Sequence, residues 1–330
     1  MSEIFQTLDC VIDELSNQGW TLSKSYNKFG EFEVITIDDG SLISYPRPLF
    51  SPLFRGQPGW FNPCLSSIYR GNPSTIDILI SKVMVNEFES LLHTHPQVQQ
   101  DLKDGYKVDF IGLAQHYGFK TDYLDLTNSL PVAAFFATNE YREYDDSFIP
   151  ITDSSKVGVL YFMTPIQQLS LNSEKNIYPI GFQPFRRPAE QRAFYIRLPD
   201  GSDLNQVMGV FPFKFFQEKE ISERLNEIME GGKALFPYDI IAVKAKEIRS
   251  NYKLSKQALL KTFKELPLYQ DYTILESVLI ERGYKVVDEE IYSFTPEEIR
   301  ISLLRFNSNL GANRFSTRLV YNPDNINSNK

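Results

Sequence analysis

The sequence predicts an α+β fold, and three observations carry that expectation. Segments with helical and strand periodicity alternate along the 330 residues, but without the regular strand–helix–strand rhythm of a doubly wound sheet. The composition, 42% hydrophobic and 23% charged, is that of an ordinary globular chain rather than a disordered or fibrous one. Aromatic residues reach 14%, and a chain of this length can bury a sizeable core without disulfide staples. Length allows one large domain or two.

The elements follow from the local patterns. Ile4, Phe5, Leu8, Val11, Ile12 and Leu15 recur at helical spacing, and Gly19 stops the run. Residues 32–37 read as a strand ahead of the Asp39-Gly40 turn. From residue 42 to 73 the chain is rich in Pro, Gly and Ser around the dense island SPLFRGQPGWFNPCLSSIYRG. Helical spacing resumes over 76–92 and again over 110–117, where Gly118 suits a left-handed cap. Residues 121–127 predict a strand, and Pro131 starts a helix through VAAFFATNEY. Further strands are predicted at 157–163, 192–198, 211–216 and 240–245, with helices over 218–230 and 254–283. Thr295 and Glu298 form a capping box for one more helix, and the tail from 322 is expected to fray. There is no internal repeat.

Several classes are disfavoured. Cys10 and Cys64 are far apart and begin no CxxC pair, and His93 and His95 have no matching third ligand, so no metal is expected. GxGxxG, P-loop, GxSxG and HExxH motifs are absent. The acidic N-terminus lacks the basic start and apolar run of a secretory leader, and no stretch reaches the ~20 apolar residues of a membrane span. With few cysteines, a cytoplasmic chain is the expectation. The formal charge of −8 argues mildly against indiscriminate nucleic-acid binding. Against that average, Arg300, Arg305, Arg314 and Arg318 lie between Glu298 and Asp324 with no acid among them. Such a stretch fits nucleic acid, an acidic partner protein, or simple solvation.

Three islands carry the chemical information: residues 54–57, 115–127 and 187–195. On a strand over 121–127, Leu124 and Leu126 point to the core while Tyr123, Asp125 and Thr127 share the other face. Asp125 and Thr127 there suit a sugar hydroxyl, or Asp125 bonds the loop backbone. In the third island Phe194, Ile196 and Leu198 form the apolar face; Gln191 lies opposite if the strand starts that early, and Glu190 falls in register with the apolar set. Arg186 and Arg187 read as a solvated surface pair. Arg55, in an apolar setting beside Gly56, needs either a structural carboxylate or a ligand phosphate, and Gly56 would admit a ligand close to the backbone.

Together the islands resemble the FRG domain family, named for its Phe-Arg-Gly tripeptide. Phe54-Arg55-Gly56-Gln57, followed by Asn62-Pro63-Cys64-Leu65-Ser66-Ser67-Ile68-Tyr69-Arg70, resembles the opening motif. Gln115-His116-Tyr117-Gly118 with Thr121, Leu124-Asp125 and Thr127 resembles its most recognisable stretch; Lys120 replaces a Pro, Tyr123 a Leu and Leu126 an aromatic. Arg187, followed by Gln191-Arg192-Ala193-Phe194-Tyr195, resembles a third motif, with Ala193 in place of Gly. The family in turn resembles a distant branch of the ADP-ribosyltransferase superfamily.

That resemblance implies a split mixed β-sandwich with flanking helices over 49–246, an N-terminal flank over 1–48 and a mostly helical extension over 247–330. It implies NAD as substrate with no metal. Asp125 and Gln191 would be the chemical pair, with Glu190 as an alternative anion. Arg55, Gly56, Gln115, His116, Tyr123 and Thr127 would hold the dinucleotide, a Tyr such as Tyr123 or Tyr117 stacking on nicotinamide. The implied activity is mono-ADP-ribosylation of a nucleic acid, perhaps RNA, or of a protein, in a toxin or phage-defence effector restrained by an antitoxin or inhibitor protein. A non-catalytic nucleotide- or partner-binding module and an NAD glycohydrolase are the alternatives.

Overall fold

Leu8, Val11, Ile12 and Leu15 bury one stripe of a helix whose start is capped by Thr7, which accepts from Cys10 N. The computed structural model describes residues 4–25, 32–37, 39–49, 51–144, 146–164, 177–266, 272–310 and 315–319.

The strands run β1 (Ile4–Phe5), β2 (Phe32–Thr36), β3 (Leu42–Pro46), β4 (Leu53–Gln57), β5 (Tyr123–Thr127), β6 (Asn139–Arg142) and β7 (Ser147–Pro150). They continue as β8 (Val157–Met163), β9 (Ile177–Pro179), β10 (Ala193–Arg197), β11 (Val210–Phe216), β12 (Lys253–Ser255), β13 (Lys285–Val287) and β14 (Phe315–Leu319). Between them lie α1 (Leu8–Asn17), α2 (Thr75–His93), α3 (Pro96–Lys103), α4 (Phe110–His116), α5 (Leu130–Thr138) and α6 (Arg186–Glu190). The C-terminal third adds α7 (Lys219–Ile228), α8 (Ile240–Ser250), α9 (Lys256–Glu265), α10 (Tyr272–Glu281) and α11 (Pro296–Leu310).

The result is α+β, as the pattern predicts. A central mixed sheet has the order β1-β11-β8-β4-β5-β10-β9, parallel only at the β1–β11 edge. Alternation along β4 and β8 sends Phe54, Leu160 and Phe162 to α1 and α5, and Leu53, Val159 and Tyr161 to the opposite core with Leu124 and Leu126. Gly56 lies against α5, where an added Cβ would stand 1.7 Å from Ala133 O. A second, three-stranded sheet, β14-β2-β3, touches the first where Tyr45 meets Phe194 edge-on at 5.2 Å.

The two halves of the central sheet are barely joined. β8 and β4 share five paired positions and β5 and β10 another five, whereas β4 and β5 pair only at Phe54 and Thr127. Beyond that pair the strands part.

Several local expectations are corrected. Residues 240–245 are not a strand but the first half of α8: Asp239 caps it by accepting from Ala242 N at 2.8 Å, and Ile241, Ala245 and Ile248 bury a helical stripe. That helix runs through the expected boundary at 246/247 and packs into the same cluster as Phe88 and Leu113. Residues 139–142 leave the α5 helix as β6, residues 4–5 form a parallel edge strand rather than helix, and 253–255 pair as β12. The C-terminal helices cover α2, with Leu259, Leu275 and Leu279 on Leu79 and Val83. No helix among the described residues is long and apolar enough to cross a membrane. Arg314 and the tail from 322 lie outside the described residues.

Candidate functional site

Where β4 and β5 part, a cleft of about 1090 Å³ opens. It collects residues from all three islands: Arg55 and Gly56, then Gln115, His116, Asp125 and Thr127, then Gln191. Arg55 shares the strand face of Leu53 and Gln57 and reaches across the gap, its Nη1 donating to Asp125 O at 2.8 Å. Its Nε is buried with no partner among the described residues.

The α4 end delivers the next pair. Asp109 caps the helix by accepting from Gly112 N at 2.8 Å, and Gly118, at φ 81°, turns the chain toward β5. Gln115 is thereby held between two groups: its Oε1 accepts from Thr121 Oγ1 at 2.6 Å and its Nε2 donates to Asp125 Oδ2 at 3.2 Å. Asp125 Oδ1 stays buried and unpartnered. His116 is buried, and its Nε2 also has no partner. Burial pushes this imidazole below its ordinary value; Asp125 opposes that, Arg187 adds to it, and a hydrogen bond with Gln191 opposes it. The ring is therefore neutral near pH 7.

Gln191 reaches the cleft by a different route from the one its strand register implied. It is the C-cap of α6, and Arg192, at φ 48°, breaks the path into β10. Its Nε2 donates to Leu235 O at 3.1 Å, and its carbonyl accepts from Thr127 Oγ1 at 2.7 Å. Thr127 Oγ1 also accepts from Ser129 N at 3.0 Å, so this hydroxyl holds the Gln191 backbone in place.

Two expected site residues do not line the cleft. Tyr123 stacks flat on Tyr195 at 3.8 Å in a separate apolar cluster, where burial raises its hydroxyl. Glu190 is buried and bound by Arg186, whose Nη2 and Nε donate to Oε1 at 2.5 and 3.1 Å. Gly56 does line it, but the contact with Ala133 O shows that its missing Cβ serves strand–helix packing rather than ligand approach.

Arg187, which the sequence places in the third motif but reads as surface, is a cleft residue. It is not solvated surface: its guanidinium lies 4.7 Å over the Tyr117 ring and 5.7 Å from that of Phe236, its Nη1 is 3.4 Å from His116 O, and its Nε is buried without a partner. The i,i+4 spacing of Arg186 and Glu190 was the available signal, since a helix that pairs those two turns Arg187 to another side.

Residues 51–146 match the family model of the FRG domain. These residues are an FRG domain. No curated protein and no solved structure matches the chain. The FRG domain supplies Arg55, Gln115, His116, Asp125 and Thr127, while the opposite wall, with Arg187, Gln191, Lys246 and Arg249, comes from outside the matched residues. Arg70, at the mouth and within the match, is pulled down in pKa by lost solvation and by Arg55 beside it. Five cations and the acids Asp125, Glu143 and Asp146 thus face one cleft in a chain of net −8.

Proposed function

We propose that this FRG domain is a distant branch of the ADP-ribosyltransferase superfamily and that the chain transfers ADP-ribose from NAD to a macromolecule. The observation that carries the reading is the set of buried, unpartnered atoms at the parting of β4 and β5: Arg55 Nε, Asp125 Oδ1 and His116 Nε2. Buried polar atoms without partners are rare in folded chains, and among the described residues these three, with Arg187 Nε on the opposite wall, bring four to one cleft, which suits a polar ligand. The volume is large enough for a dinucleotide.

The reaction breaks the bond between ribose C1 and the nicotinamide nitrogen. The bonding pair leaves with the ring, which becomes neutral nicotinamide and needs no proton. The ribose passes through an oxocarbenium-like state, as in glycoside hydrolysis. The acceptor nucleophile then bonds to C1 and gives up its proton. Arg55, with Arg70 behind it, holds the pyrophosphate bidentately. Neutral His116 bonds a ribose hydroxyl through Nε2. The charge of Asp125 faces the developing cation and its free Oδ1 takes the acceptor proton. Gln191 cannot act as a base; it stands close enough to the His116 ring to influence its protonation. With Tyr123 outside the cleft and Tyr117 and Phe236 beneath Arg187, ring stacking falls to Phe136 and Phe148. By the same resemblance the chain is a toxin or phage-defence effector, restrained by an antitoxin protein.

The test is nicotinamide release from NAD by wild type, Asp125→Ala and Gln191→Ala, with NAD binding measured for Arg55→Ala. Loss of release in the first two and of binding in the third is the expected pattern. Full activity in both cleft variants contradicts the assignment, and a wild type that binds NAD without releasing nicotinamide is a non-catalytic module.

A further inference from the structure

The wall facing the FRG domain is built by one stripe of α8. Ala242, Lys246, Arg249 and Ser250 line the cleft at helical spacing, while Ile241, Ala245 and Ile248 on the other side are buried against α2 and α4. The cations of this helix divide accordingly. Lys244 is engaged by Glu247 and Glu298 at 3.7 and 3.2 Å. Lys246 and Arg249 are exposed, face the cleft and join no ion pair among the described residues. Arg249 lies over Gly118, with its guanidinium 6.0 Å from the Phe119 ring, and its charge reaches Tyr141.

Exposed aromatic rings stand at the same mouth. Phe61 is 51% and Tyr141 49% exposed, and both line the cleft with Arg70. Tyr141 is held in place by its hydroxyl, which donates to Asp146 at 2.7 Å. Cations and exposed aromatic rings gathered at one mouth favour one class of polyanion. Phosphates pair with the cations and unstacked bases lie on the rings, a combination that an acidic peptide uses only in half.

We infer that the α8 wall, Lys246 and Arg249 with Arg70 and Tyr141, binds single-stranded nucleic acid and presents it to the cleft. As the acceptor of ADP-ribose the strand rests on the transferase reading; its binding to the wall does not. The wall lies within a chain of net −8, so the interaction is local and salt-sensitive rather than a property of the whole surface.

The experiment is fluorescence anisotropy with labelled single strands of about 12 nucleotides, RNA and DNA, without NAD, over a salt series. The full chain is compared as wild type, Lys246→Ala/Arg249→Ala and the exposed control Lys253→Ala. The expected result is wild-type binding that weakens at least tenfold in the double variant and is unchanged in the control. The salt slope should fall by about 1.4, from about 0.7 for each lost phosphate contact. Both replaced side chains are exposed, and circular dichroism verifies the fold. No strand binding by wild type, equal binding by the double variant, or equally tight binding of a poly-Glu peptide overturns the inference. Strand binding in a protein that does not bind NAD removes the transferase reading and leaves the wall; NAD turnover without strand binding does the reverse.

Discussion

Replacing Gly56 by Ala tests whether the parting of β4 and β5 is held by the packing of β4 on α5. The added Cβ would lie 1.7 Å from Ala133 O and 2.7 Å from Ala137 N, both backbone atoms of a helix and neither able to rotate away. Ordinary contact begins near 3.4 Å, so β4 and α5 must separate by about 1.7 Å. Overpacking in cores costs about 1–3 kcal/mol where side chains can adjust, and here only backbone can move. The expected loss exceeds about 3 kcal/mol in urea unfolding. Gly59→Ala is the internal control: three residues away, its Cβ meets only Phe61 ring atoms at 3.8 Å or more, and its stability should stay within about 1 kcal/mol of wild type. Equal midpoints for the two variants would refute the reasoning. A Gly56→Ala protein that fails to fold while Gly59→Ala folds supports it.

Three further outcomes are expected. Burial lowers His95 to about 4, its Nδ1 accepting from Gln97 N at 3.2 Å and its Nε2 meeting Ser302 Oγ at 3.0 Å. Its contribution is therefore complete above pH 6.5 and is lost as pH falls from 6.5 toward 4, on the order of 3 kcal/mol. Asp101, raised by burial to about 6, acts in the opposite sense over that range, so imidazole NMR is the readout; a His95 midpoint at or above 6 contradicts the burial argument. Glu190→Gln should lower stability by about 1.5–3 kcal/mol by weakening the charge-assisted hydrogen bonds from Arg186, with nicotinamide release per folded molecule unchanged; a large drop in turnover without loss of stability would return Glu190 to the chemistry. Leu279→Ala should cost about 2–5 kcal/mol in global unfolding because Leu279 is fully buried in the cluster with α2. A separate early transition for residues beyond 250 would mean that the C-terminal helices are not part of the same core.

The sequence was most readable where one face is buried and the other is not. Leu124 and Leu126 against Asp125 and Thr127, and Phe194 and Ile196 against Ala193 and Tyr195, fell on the faces that alternation assigns. It misled at residues 240–245, where β-branched and small apolar residues satisfy either period over a short window and only the Asp239 cap and the later Ile248 decide for helix. Gly56 was legible as a required glycine but not for its reason, because the close neighbour, Ala133, lies far along the chain. Arg187 was legible as part of the third motif but read as surface for a similar cause: its partners Tyr117 and Phe236 come from distant segments. Gln191 was correctly brought to the cleft with the wrong backbone, since the Arg192 kink replaces the expected strand register. In the basic C-terminal stretch Arg300 is paired with Glu297 at 2.6 Å, and the cleft cations Lys246 and Arg249, in no ion pair among the described residues, lie earlier in the chain.

The central claim is that the cleft at the parting of β4 and β5 moves ADP-ribose onto a macromolecule. Incubating wild type and Asp125→Asn with adenine-labelled NAD and cell lysate, then separating nucleic acid, protein and free nucleotide, tests it directly. Label covalently on a macromolecule with wild type, and lost with Asp125→Asn, is the expected result. Free labelled ADP-ribose alone makes the chain a glycohydrolase, and intact NAD with no label transferred contradicts the claim.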